Sequence, residues 1–308
     1  MLKPSAKKES FRKGEKSLKE NTVIKKMSAG MLLNYVLITI LAFACLYPFL
    51  NVLATSLSGY NPVLSGKVTF YPIDFTIEAY KQILGRTTIW TAMRTTVAIT
   101  LMGTMLSLIL TILAAYSLSI EDLPGRKFMT GMILFTMYFG GGMIPTFLVV
   151  KGVGLYNTLG ALFIPQSISV FNFIVMRTFF KGLPESLKDA ARIDGASYLM
   201  ILLKIVLPLS LAVIATIGLF YAVGYWNSYF DALIYIQDGD KYTLQLRLRS
   251  LLFGNELGNA ADDVGGTVVM PQSLKMATVV VSTLPILVVY PWLQKYFVKG
   301  VMLGSVKG

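Results

Sequence analysis

Side chains able to do covalent chemistry are scarce in this chain of 308 residues. It has no histidine and one cysteine, Cys45. The first absence removes nucleophile–histidine catalysis and the common zinc sites. The second leaves no intrachain disulfide. Cys45 lies in an apolar run and reads as a small packed or lipid-facing side chain. The one Gly-Lys pair is Gly66-Lys67, and Asn61 stands where a phosphate-binding loop needs its first glycine. No catalytic residue, metal site or bound cofactor is therefore expected in this chain.

The densest set of polar groups is in 177–204, where Glu185, Asp189 and Asp194 stand among Lys181, Lys188 and Arg192. Pro184 suits the first position of a helix and Gly195 its end, which predicts a helix of about three turns. Leu187, Ala190, Ala191 and Asp194 fall roughly on one side of it, with small side chains in the middle. Such a face lets another protein surface approach closely. It is equally compatible with a solvated connector between two larger elements.

Those larger elements follow from composition. Apolar residues make up 55% of the chain and charged residues 14%, against about 25% charged in soluble domains. Six long stretches carry no charge: 27–66, 95–120, 128–150, 152–176, 205–230 and 276–294. Each is near or above the roughly 20 residues that a helix needs to cross a bilayer. The pattern predicts an all-α, polytopic membrane protein. Its six spans are expected at about 31–57, 95–120, 128–150, 157–176, 205–230 and 276–294. Glycines 152 and 154, with Asn157 as a candidate helix cap, predict a tight reversal between the third and fourth.

The net charge of +12 reads as orientation information rather than as a nucleic-acid surface. Nineteen Lys and Arg residues fall on the side of the N-terminal tail 1–26, the loop around Arg126, the loop 177–204 and the C-terminal tail; nine fall on the other. The positive-inside rule places both termini in the cytoplasm. The first span reads as an uncleaved anchor behind a basic tail near anionic headgroups. On the outer side, Thr76, Glu78 and Gly85 frame a short interfacial helix. The segment 231–272 holds six of the sixteen acidic residues and has the length of a functional or a disordered loop; the apolar content of Tyr242 to Phe253 favours an ordered, protein-contacting one.

The spacing in the polar loop carries a family resemblance. Asp189-Ala190-Ala191, three residues, Gly195, nine residues, Ile205, one residue, Leu207-Pro208 resembles the EAA loop of ABC importer permeases, with Asp189 in place of that pattern's glutamate. Gly154-Leu155-Tyr156-Asn157-Thr158, Pro165, Trp226-Asn227 and the C-terminal segments 294–300 and 304–308 resemble the maltose and multiple-sugar group of those permeases. The run Gly140-Gly141-Gly142-Met143-Ile144-Pro145 is similar to a subgroup implicated in complex or modified oligosaccharides.

The resemblance implies a type I permease fold in a bacterial inner membrane and an oligosaccharide substrate. It implies a sister permease, a dimer of ATPase subunits that holds ATP and Mg, and an extracytoplasmic solute-binding protein. It assigns ATPase coupling to Glu185, Asp189, Ala190, Ala191, Asp194, Gly195, Ile205, Leu207 and Pro208. Amino-acid or peptide permeases of the same class are the nearest alternative, and an ATP-independent secondary transporter the next. No charge lies inside the six windows, which suits a neutral substrate better than ion coupling.

Sugars are held by aromatic faces and hydroxyl-bonding groups, so Asn172, Tyr225, Asn227 and Tyr229 are candidates for a substrate path. Interhelical hydrogen bonding and interface anchoring are the competing readings. Gly140, Gly141, Gly142 and Pro145 weaken the helix at mid-span and are candidates for a hinge, a close helix–helix contact or a static irregularity.

Overall fold

The computed structural model describes residues 29–253 and 271–305. The basic tail 1–26, the outer-loop residues 254–270 and the last residues of the C-terminal motif lie outside the described residues. Among those described, every regular element is helical.

Helix α1 (Ala29–Ser56) follows the first window closely. The described residues up to Asn51 belong to one compact unit, and those from Val52 onward to a second. Every residue from 30 to 49 is exposed on the chain, including Leu37, Phe43 and Phe49. Such an apolar helix is viable where lipid or another protein covers it, because its backbone is satisfied internally.

In the second unit, α2 (Tyr60–Leu64) and α3 (Glu78–Leu84) precede the long α4 (Thr87–Ser117). The Thr76 hydroxyl accepts from the Glu78 amide at 3.2 Å, as the sequence anticipates. Helix α4 starts eight residues before the charge-free window, so Arg94 is helical. One charge near a helix end is compatible with a span, because a long side chain reaches the interface.

The third window is not one helix. It forms α5 (Arg126–Tyr138) and α6 (Met143–Gly152), bent by 118°. Gly142 at the break has φ +84°, a left-handed conformation that favours glycine. Pro145 falls in the first turn of α6, where its missing N–H costs nothing. The fourth window differs most from expectation. It gives a 3-10 turn at Leu159–Leu162 and then α7 (Val170–Lys181). Twelve residues reach about 18 Å, short of a hydrocarbon core of about 30 Å. Absence of charge does not distinguish an irregular segment from a helical one.

Helix α8 (Glu185–Ile193) occupies the polar loop. Segment α9 (Tyr198–Leu209) meets α10 (Leu211–Trp226) at an angle of 84°. Beyond lie α11 (Phe230–Tyr235), α12 (Leu244–Phe253) and α13 (Pro271–Ser305). Among the described residues, three helices are long and apolar enough to cross a membrane, or five counting each bent pair as one span.

The main core joins α4, α7, α9 and α10 through Ile99, Tyr116, Phe173, Met176, Phe180, Ile201, Val206, Ile217, Tyr221 and Tyr225. A second cluster joins α3, α4, α12 and α13 through Ala79, Ile83, Ile89, Leu251, Leu274 and Ala277.

Candidate functional site

Two features of the second unit could do transport work: an exposed amphipathic helix and a cavity. The helix is α8. Pro184 is its N-cap, one position earlier than the sequence reading, with ψ 123°. Its end is a Schellman motif. The Gly195 amide donates to the Arg192 carbonyl at 3.0 Å and the Ala196 amide to the Ala191 carbonyl at 2.9 Å. Gly195 has φ +78°, which explains glycine there.

One face of α8 is fastened to the body. Ala191 and Ala196 pack on the main core. Lys188 is buried, and its ammonium donates to the Phe180 carbonyl at 3.4 Å and lies 3.5 Å from Glu185. Arg192 pairs with Asp189 at 2.9 Å and lies over the Tyr198 ring. The other face is free. Leu187, Ala190, Asp194 and Gly195 are exposed, and Ile193 is 87% exposed. The structure thus keeps Leu187, Ala190 and Asp194 on the outward face, turns Ala191 inward, and adds Ile193.

The rest of the motif leads into α10. Ile205 and Leu207 pack against the main core. Residues Leu202–Val206 form a π turn, in which the Leu207 amide donates to the Leu202 carbonyl. Pro208 cannot donate to the Lys204 carbonyl, and a widened turn relieves the clash of its ring there. The bend follows at Ser210, whose buried hydroxyl has no hydrogen-bond partner among the described residues.

The cavity has a volume of about 440 Å³. It is lined by Gln166, Ser169, Phe171, Asn172, Phe220, Tyr221, Gly224 and Tyr225. Of the four candidates for a substrate path, Asn172 and Tyr225 line it. Asn227 does not: its amide donates to the Val223 carbonyl of its own helix at 2.9 Å. Tyr229 is also elsewhere, with the Arg249 guanidinium 4.8 Å from its ring centre.

Tyr221 and Tyr225 stand one turn apart and stack at 6.5 Å. The Tyr221 hydroxyl pairs with Thr111 at 2.7 Å and accepts from the Ser169 amide at 3.0 Å. The Tyr225 hydroxyl pairs with Ser107 at 2.8 Å and reaches the Phe163 carbonyl at 3.3 Å. At the edge of the cavity, Gln166 donates to Asp231 at 2.6 Å. That bond aims the other atom of the amide, a carbonyl acceptor, elsewhere. Burial pushes the Asp231 carboxyl up from its ordinary range, and the Gln166 bond partly opposes the shift.

Asn157 is not a helix cap. It adopts φ +58°, and its side-chain oxygen accepts from the Gln237 and Asp238 amides, each at 3.1 Å. It fastens the loop after α6 to the segment after α11. The Gly140–Gly142 run is exposed, and a Cβ on Gly140 would meet nothing within 4 Å. It is a bend with no helix packed on it among the described residues.

The sequence reading omitted Gln166, Ser169, Phe171, Phe220, Tyr221 and Gly224. The Tyr221/Tyr225 spacing was a readable signal for one of them.

With this geometry in place, comparison with known proteins is decisive. Residues 27–303 match the model of the binding-protein-dependent transport system inner membrane component family. The chain belongs to this family. The permease is 43% identical over 279 residues to the polygalacturonan/rhamnogalacturonan transport system permease protein YtcP of Bacillus subtilis, covering 90% of this chain and 98% of the relative. It is 43% identical over 262 residues to the protein LplC of the same organism, covering 85% and 89%. Its fold matches a chain in the crystal structure of a bacterial ABC transporter involved in the import of the acidic polysaccharide alginate. That TM-score is 0.82 at 34% identity, covering 86% of this chain and 95% of that one. The permease is thus an all-α, multi-pass membrane component of an ABC transport system.

Proposed function

We propose that this permease is one of two membrane subunits of an ATP-driven importer of oligosaccharides. Helix α8 docks on a separate ATPase subunit, which holds ATP and Mg. A second, similar permease completes the pathway. A solute-binding protein delivers the sugar on the outer side and touches the segment after α11. The distribution of basic residues supports cytoplasmic termini and a cytoplasmic α8. Transport of polygalacturonan/rhamnogalacturonan by one relative and of alginate by another supports the substrate class.

The observation that carries the reading is the outward face of α8. Leu187, Ala190 and Ile193 are exposed on a helix whose opposite face is tightly fastened. A helix held this way transmits displacement to the core instead of rotating in place. The cavity adds the chemistry. Four aromatic rings and the polar groups of Gln166, Ser169 and Asn172 line it, and no charged side chain among the described residues does. That lining suits sugar ring faces and hydroxyls.

Mechanistically, closure of the ATPase dimer would move α8 and switch the pathway between inward-open and outward-open states. The energy comes from tighter ATP binding to one state than the other. The test is purification of the tagged chain in mild detergent from its native membrane, with partners identified by mass spectrometry. Recovery of an ATPase, a sister permease and a solute-binding protein is the expected result. Recovery of the chain alone, where a control ABC complex survives, would overturn the reading.

A further inference from the structure

Helix α7 carries Phe171 and Asn172 of the cavity wall and is separated from α8 by three residues. Two further routes join α8 to Tyr221 and Tyr225 on α10, and the covalent one runs through α9. It contains a π turn at Leu202–Val206, Pro208 and an 84° bend. These are poor transmitters of force, because a widened turn and a bend can flex without moving what lies beyond. The lateral route runs through α4, an unbroken helix of 31 residues without proline.

We propose that α4 is the arm that ties the position of the α8–α9 segment to the shape of the cavity wall, with Tyr116, Thr111 and Ser107 as its positioning residues. The inference rests on the function proposed above and names residues that the loop motif does not contain. At one end, the buried Tyr116 hydroxyl donates to the Tyr198 carbonyl at the start of α9, 3.0 Å away. The Tyr116 ring also meets Phe180 edge-on, the residue whose carbonyl receives Lys188 of α8. Further along α4, Thr111 holds Tyr221 and Ser107 holds Tyr225.

The spacing makes this arm possible. Gly103, Ser107, Thr111 and Ala115 recur every fourth residue, so they form one small-residue stripe along α4. Ser107, Thr111 and Ala115 are fully buried. A Cβ on Gly103 would lie 2.8 Å from the Tyr225 ring, so α10 approaches as closely as a glycine permits. Inside a membrane no water replaces a broken hydroxyl pair, so these contacts move together or break at a cost.

The test uses the assembled complex in nanodiscs with Cys45→Ser and Gly224→Cys. Gly224 lines the cavity, and a Cβ there meets nothing within 4 Å. A small maleimide reports how ATP with vanadate changes the labelling rate at this position. Tyr116→Phe and Thr111→Val should each cut that ATP-induced change about five-fold, the worth of one hydrogen bond of about 1 kcal/mol. The double variant should lose no more than either single variant, as links in one chain do. ATP hydrolysis without substrate should be unchanged.

A full ATP response in Tyr116→Phe, or losses that multiply in the double variant, would overturn the proposal. Should Tyr116→Phe fail to assemble, Thr111→Val against Ser107→Ala makes the same comparison with the same deciding outcomes. Failure of the underlying function looks different: the parent complex would then bind no ATPase and show no ATP response.

Discussion

The two working regions of this permease are built in opposite ways. Helix α8 is held by short-range bonds: a Schellman end, ion pairs three residues apart and two inward alanines. It leaves its apolar residues in the open. The cavity wall is held by hydroxyl pairs between residues 118 and 110 positions apart, and these are buried. One region is an exposed surface with apolar residues at its centre. The other is a shape maintained from behind by α4. Changes on α8 should therefore affect association and coupling, whereas changes on α4 should affect the pathway and stability.

The largest separation of the two should come from Leu187→Asp with Ile193→Asp. Burying two apolar side chains is worth about 1.5–3 kcal/mol each, so ATPase affinity should fall at least about 100-fold. Membrane insertion and the thermal stability of the isolated chain should not change. Quantitative co-purification measures the first and a detergent melting curve the second.

Gly195→Asp comes next. The left-handed backbone at Gly195 disfavours any Cβ by about 1 kcal/mol, and a carboxylate is added beside the exposed face. Insertion should persist while substrate-stimulated ATP hydrolysis is lost. Normal transport by this variant would remove Gly195 from the docking surface.

Gly103→Val probes the other region. Its side chain collides with the Tyr225 ring, and overpacking of this kind costs about 1–3 kcal/mol. A melting curve should show the loss, with ATPase co-purification retained. If association fell as well, the two regions would not be separable.

The smallest effect should be at Asp231. Its raised pKa means the folded protein favours the protonated acid. That contribution is complete below the ordinary carboxylate range and is lost as pH rises through the raised value. Asp231→Asn, which cannot ionise, should narrow the difference in melting temperature between acid and neutral pH by about 1–3 °C. An unchanged difference would show that Asp231 does not titrate with folding.

Much of α8 was legible in the sequence because its determinants are local. Pro184, Gly195 and the motif spacing sit within one short segment. The inward turn of Ala191 and the exposure of Ile193 were less legible, because rotation of a helix on its support depends on the core beneath it. The cavity was largely illegible. Its walls come from α7, α10 and the irregular residues before α7, and uncharged windows do not reveal where a helix stops. Gln166 and Ser169 looked like interior span residues for that reason. Asn227 and Tyr229 closely follow α10, but their contacts are with Val223 and Arg249 rather than with the cavity. The bend at Gly140–Gly142 was signalled by its glycines, whereas its 118° angle was not.

The central claim is that the outward face of α8 meets an ATPase subunit. Replacing Cys45 by Ser removes the native thiol, and Ile193→Cys then places a single one at the most exposed large apolar residue of that face. In the intact complex, a short thiol-to-amine cross-linker should join this chain to an ATPase-sized partner, identified by mass spectrometry, with a yield that changes when ATP and vanadate are added. Cross-linking only to lipid, to a second copy of this chain or to nothing, in a complex that still hydrolyses ATP, would contradict the account.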